Sequence, residues 1–136
     1  MNKLNEEYGS LKVVCPYDCG NAPKKKLLQE LTIAIAKNDQ SFILEHLKDD
    51  VCWDIVGNKQ IQGNNHVVEI LSKKEKDRAT ELHINNIITH GSTGSINGII
   101  ILESKKRYAF CDIYNFTSAG KTSKIKEITS FLIEVK

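Results

Sequence analysis

The chain has 136 residues, 40% of them hydrophobic and 26% charged, and a net charge of +2 with histidine neutral. That length suits one domain able to bury roughly two-thirds of its unfolded surface without disulfide staples. The charge leaves no basic footprint for nucleic acid, and no apolar run nears the roughly 18 residues that a membrane-spanning helix needs.

Residues 1–22 read as an N-terminal extension punctuated by Pro16, Gly20 and Pro23, with LKVVC as a short strand or an extended arm. The opening MNKLNEEYGSLK lacks the apolar core of a secretory signal, so a cytoplasmic location is expected. In that compartment Cys15, Cys19, Cys52 and Cys111 are expected as free thiols. Cys15 and Cys19 form C-x-x-x-C without a second ligand pair at compatible spacing, so no metal site is expected.

The domain proper runs over residues 23–136. Pro23 is suited to the first position of a helix, and Leu27, Leu28, Leu31, Ala34 and Ile35 form one apolar stripe at helical spacing. Asn38 and Asp39 close this helix and cap a second over 40–47. A strand follows over 51–56, then a turn at Gly57-Asn58, a short return through Ile61, and a third helix carrying Val67, Val68, Ile70 and Leu71. The run KKEKDR reads as a solvated loop. Four long strands come next, ELHINNIITH, SINGIIILES, RYAFCDIYNF and KIKEITSFLIEV, joined by turns short enough for an antiparallel meander. Helices first and strands afterwards make an α+β domain.

Two aspartates stand in the most apolar strands: Asp54 in VCWDIVG and Asp112 in YAFCDIYNF. A carboxylate in a core strand is costly unless it is paired, hydrogen-bonded or protonated. Two of them suggest one polar spot in an apolar cavity. By strand alternation Tyr108, Phe110, Asp112, Tyr114 and Phe116 share a face, taken as the cavity wall. The neighbouring strands are read as adding Asn97, Ile99 and Ile101, and Ile128, Ser130 and Leu132. Asp54 shares its face with Cys52 and Val56, while Trp53 points the other way, to core or to a subunit contact. His83 is a possible base in the strand from Glu81. GKTS at 120–123 lacks the upstream glycine of a phosphate-binding loop, since Asn115 occupies that place.

The acidic pair Asp49-Asp50 followed by VCWDIVGNKQIQG and a helix, together with YAFCDIYNF, a Gly-Lys turn and KIKEITSFLIEV, resembles the nuclear transport factor 2-like superfamily. That group includes SnoaL-like polyketide cyclases and ketosteroid isomerases. The likeness covers about residues 23–136. AKND, DDVCWDIVG, ITHG and YAFCDIYNF also look like a narrower group of uncharacterised bacterial proteins. The resemblance implies a cone-like fold in which three N-terminal helices pack in a curved, mixed or antiparallel sheet. It implies a homodimer formed through the sheet, and no cofactor. Alignment with the isomerases puts Asp54 at their general base and Asp112 at an oxyanion-hole acid held neutral by an apolar site. Their helix tyrosine falls at or near Leu31, and the first helix has no tyrosine. Tyr108 and Tyr114 are the hydroxyls on hand to replace it. Three functions stay open. One is non-catalytic binding of a small apolar ligand, slightly favoured by the missing tyrosine. Another is a cofactor-independent isomerase, cyclase or dehydratase using Asp54 and Asp112. The third is a protein–protein adaptor.

Overall fold

The computed structural model describes residues 3–16, 22–73, 77–120 and 122–136. Cys19 and the middle of KKEKDR lie outside the described residues, and so does Lys121 of GKTS. The elements are β1 (Lys3–Tyr8), β2 (Leu11–Pro16), α1 (Pro23–Lys37), α2 (Gln40–His46), β3 (Leu47–Ile55), β4 (Lys59–Gln62), α3 (Asn64–Ser72), β5 (Ala79–His90), β6 (Thr93–Leu102), β7 (Arg107–Phe116) and β8 (Ile125–Val135).

Helix α1 starts at Pro23, whose missing N–H costs nothing in the first turn. It ends where Asn38 takes a left-handed conformation with φ of 61° and returns its N–H to the Ala34 and Ile35 carbonyls. Asp39 then caps α2 by accepting the Phe42 N–H at 3.3 Å. The stripe of α1 buries Leu28, Leu31, Thr32 and Ala34.

The sheet has eight strands in the order β1-β2-β5-β6-β7-β8-β3-β4. Strands β5 to β8 form the expected antiparallel meander. The pairs β2–β5 and β3–β8 are parallel, so the sheet is mixed. The stretch read as an extension supplies β1 and β2, and Leu11, Val13 and Cys15 enter the core.

The cone-like, curved sheet expected from the resemblance is corrected by this order. The sheet is open and not strongly curled, with β1 and β4 at opposite edges. The N-terminal hairpin extends one end beyond β5, and the β3–β4 hairpin extends the other. The three helices cover one face, which carries the main core from Leu82 and Ile84 across Ile96, Tyr114 and Ile128 to Trp53.

Two glycines allow close approaches, one between helix and sheet and one between adjacent strands. A Cβ at Gly94 would lie 2.6 Å from Leu28 Cδ1 of α1. A Cβ at Gly98 would overlap the His83 carbonyl, beside the β5 irregularity between Ile84 and Asn86. The start of α1 is tied to the β7–β8 turn by Lys24. Its Nζ donates to the Gly120 carbonyl at 3.1 Å and to Ser123 Oγ at 3.0 Å, and lies 4.2 Å from the Phe116 ring centroid. Among the described residues no helix is long and apolar enough to cross a membrane.

Candidate functional site

Strand register decides which residues share the helix-covered face. Directly paired residues in adjacent strands lie on the same face, and successive residues alternate. Asp112 pairs with Ser130, whereas Asp54 pairs with Thr129. Ser130 and Thr129 are neighbours on β8, so the two aspartates stand on opposite faces. The helix-covered face holds Asp112 with Ile96, Ser130, Phe110 and Tyr114. Asp54 stands on the outer face with Ile113 and Thr129. The expected pairing of two carboxylates in one chamber is therefore corrected. Trp53, paired with Ile128, is the β3 residue that turns inward.

Asn97, Ile99 and Ile101 are corrected for the same reason. They pair with Cys111, Ala109 and Arg107, which places them on the outer face. Gly98 and Ile100 take the inner positions, opposite Phe110 and Tyr108. His83 pairs with Ile99 and joins the outer face, where its Nε2 lies 3.0 Å from Glu81 Oε1. Ile128, Ser130 and Leu132 do share the Asp112 face, and so do Tyr108, Phe110 and Tyr114.

Around Asp112 the side chains form a short polar chain inside an apolar wall. The Trp53 indole donates to Ser130 Oγ at 2.8 Å, in a buried setting. Burial pushes the Asp112 carboxyl up to about 6, and a hydrogen bond from the Ser130 hydroxyl acts in the opposite direction. Tyr114 is fully buried, and its phenol is pushed well above its ordinary value, first by burial and then by the Asp112 charge. Its hydroxyl has no hydrogen-bond partner. The Thr32 hydroxyl of α1 acts on Tyr114 in the lowering direction, but it stands outside hydrogen-bond geometry with the phenol and gives its own proton to the Leu28 carbonyl at 2.8 Å. The core placement read for Trp53 holds, but its bond to Ser130 and the part of Thr32 have no counterpart in the sequence reading. A buried indole N–H calls for an acceptor, and Ser130 is the residue that meets it.

The apolar wall becomes more exposed toward one end. Phe110 is 8% exposed, Tyr108 and Ile100 are partly exposed, and Leu132 is 50% exposed. Two grooves lie elsewhere. One of about 380 Å³ runs over α1 and α2 past Gln29, Ile33 and Phe42. Another of about 720 Å³ lies at the start of α1 beside Lys24, His46 and Ser123. Neither includes Asp112. Among the described residues no three of His, Cys, Asp and Glu gather as a metal site.

No family model and no curated protein matches this sequence. Solved structures do match its fold. An NTF-2 like protein of unknown function from Burkholderia xenovorans aligns with a TM-score of 0.71 at 15% identity, over 84% of this chain and 85% of that one. A candidate ketosteroid isomerase from Kribbella flavida aligns with a TM-score of 0.70 at 11% identity, over 84% and 80%. An LEH-like epoxide hydrolase from M. tuberculosis aligns with a TM-score of 0.65 at 15% identity, over 79% and 80%. These likenesses are distant but consistent, and they show that the chain has the topology of NTF2-like proteins.

Proposed function

We propose that the chain takes up a small apolar molecule bearing an acceptor oxygen, and that protonated Asp112 donates to that oxygen and acts on it as an acid. One observation carries this reading: a carboxyl raised to about 6 stands two residues from a buried phenol with no partner, on one face of β7. Two donors that both reach one oxygen would stabilise negative charge developing there. The fold's likeness to structures named for an isomerase and an epoxide hydrolase supports turnover over storage. The reaction class is then isomerisation, cyclisation or dehydration without a cofactor. Asp54 has no part in it, because it lies on the other face of the sheet.

The ketone 1-tetralone and the matching hydrocarbon tetralin test the donor role by NMR titration. At about pH 5 the ketone should bind about a hundredfold more tightly, two hydrogen bonds' worth. At about pH 8 that preference should fall to about tenfold, the share of Tyr114, as Asp112 loses its proton. Asp112→Asn keeps an N–H donor and does not titrate, so its preference should be the same at both. Equal binding of ketone and hydrocarbon by the native chain at the lower pH would contradict the proposal. Turnover has its own readout, the uptake of deuterium next to the ketone carbonyl, in which a solvent water takes the carbon-bound proton while Asp112 holds the enolate oxygen, and a deuteron from solvent then replaces it on carbon. It should be about a hundredfold slower in Asp112→Asn. Equal rates in the two proteins would favour binding alone.

We also infer a homodimer through the outer face. Ile88, Phe131 and Ile133 are 65%, 41% and 66% exposed there, beside the partly exposed Ile99, Ile101 and Ile113. Apolar surface of this kind calls for a cover. Sedimentation should give a dimer for the native chain and a monomer for Ile133→Glu. A native monomer at tens of micromolar (about 50 μM) would contradict this.

A further inference from the structure

Ser130 stands between two groups that use different parts of its hydroxyl, one its lone pair and the other its proton. It is buried on β8, directly opposite Asp112 on β7. Cβ atoms of such cross-strand pairs are about 5 Å apart, within reach of a hydroxyl and a carboxyl. From the other side, β3 brings the Trp53 indole to Ser130 Oγ at 2.8 Å. An indole N–H only donates, so this contact fixes Ser130 as its acceptor. The hydroxyl proton is then free to point away from Trp53, toward the carboxyl. A serine without that anchor has three staggered positions for its side chain and a freely rotating proton.

We propose that Trp53 and Ser130 are positioning residues for Asp112, with the indole locking the Ser130 hydroxyl so that its proton is directed at the carboxyl. Neither residue touches the ligand oxygen in this arrangement. Their effect is to hold one carboxyl oxygen as an acceptor, so that the proton of the acid form resides on the other oxygen and faces the pocket. The inference rests on Asp112 being the polar centre of that pocket. The surroundings of Asp112 leave few rival influences. On β6 it meets Ile96, flanked by Gly94 and Gly98, and on β8 it meets Ser130, flanked by Ile128 and Leu132. Glu134 follows on that face, exposed and opposite Tyr108. On β7 the neighbours are Phe110 and Tyr114, and α1 contributes the Thr32 hydroxyl near Tyr114.

The test follows the Asp112 carboxyl carbon by NMR across pH, with no ligand present. Ser130→Ala should move the midpoint upward by about one pH unit, since a hydrogen bond to the charged form is lost. Ser130→Thr keeps the hydroxyl and should stay close to native. Trp53→Phe should move the midpoint upward as well, and should add nothing when Ser130 is already alanine. In the native chain the Trp53 indole N–H resonance should report the same midpoint, and in Ser130→Ala it should not. That readout needs no Trp53 variant, so a poorly folded Trp53→Phe does not blunt the test. Additive shifts in the double variant, or an indole resonance blind to the Asp112 titration, would overturn the proposal. A pocket indifferent to the ketone would instead overturn the binding role, while leaving this relay standing.

Discussion

Asp112→Asn is expected to be more stable than the native chain at neutral pH and close to it at about pH 4, because only the native protein must deprotonate a carboxyl held half-buried on the helix-covered face. The folded state holds the Asp112 proton up to about 6, whereas an aspartate without burial releases it near 3.8. Between these values the folded chain binds more protons than the unfolded chain, so this contribution to stability falls as pH rises. It is fully present below 3.8 and gone once the pH has passed 6. The loss is up to about 3 kcal/mol, taking about 1.4 kcal/mol per pH unit. Asparagine has no such loss. Other carboxylates are shared by both proteins. Asp50 is held low by its Lys48 hydrogen bond, and Asp77 by those of Ser104. They cancel in the difference between the two chains. Urea unfolding of both proteins across this range measures that difference. A gap that stays constant with pH would mean that Asp112 is not buried in the way described.

Tyr114→Phe is expected to separate stability from function. The Tyr114 hydroxyl is buried without a partner, and such a group costs about 1–3 kcal/mol. Phenylalanine fills the same space with no polar atom to satisfy. The variant should therefore gain about 1–2 kcal/mol in urea unfolding. It should also bind 1-tetralone about tenfold less tightly, because the second donor to the ketone oxygen is gone. The two changes have opposite signs, which a general packing defect does not produce. A variant that loses stability while keeping its ketone affinity would show that the hydroxyl is satisfied within the protein and serves packing alone.

The legible part of this fold was the part with an unbroken phase. Pro23 and the apolar stripe of α1 placed the first helix to the residue. The β5 to β8 meander was readable because turns at Gly91, Lys105-Lys106 and Ala119-Gly120 separate long β-branched runs. Strand β7 could be split into faces, since aromatics alternate strictly from Tyr108 to Phe116. Strand β6 carries a signal in its first half, where Thr93, Ser95 and Asn97 alternate with Gly94, Ile96 and Gly98 and mark the outer side. Reading Asn97 as a polar group of the cavity inverted that phase, and the run Ile99, Ile100 and Ile101 offers no polar residue to correct it. In β3 the polar Asp54 was read as facing the pocket, although the bulky Trp53 beside it is the residue that the core needs. The extension of the open sheet by the N-terminal hairpin was illegible for another reason. Leu11, Val13 and Cys15 alternate as a strand should, but a lone short strand next to Pro16 gives no sign of the partner it joins. The family likeness added the general topology and a candidate acid at Asp112, and it misplaced the companion base.

The most direct test of the central claim is where 1-tetralone sits when bound. Nuclear Overhauser contacts from its ring protons should reach the Phe110 and Tyr108 rings, on the helix-covered face that holds Asp112. Contacts with Ile113 and Phe131 in their place would put the ligand on the outer face, with Asp54, and would contradict the account.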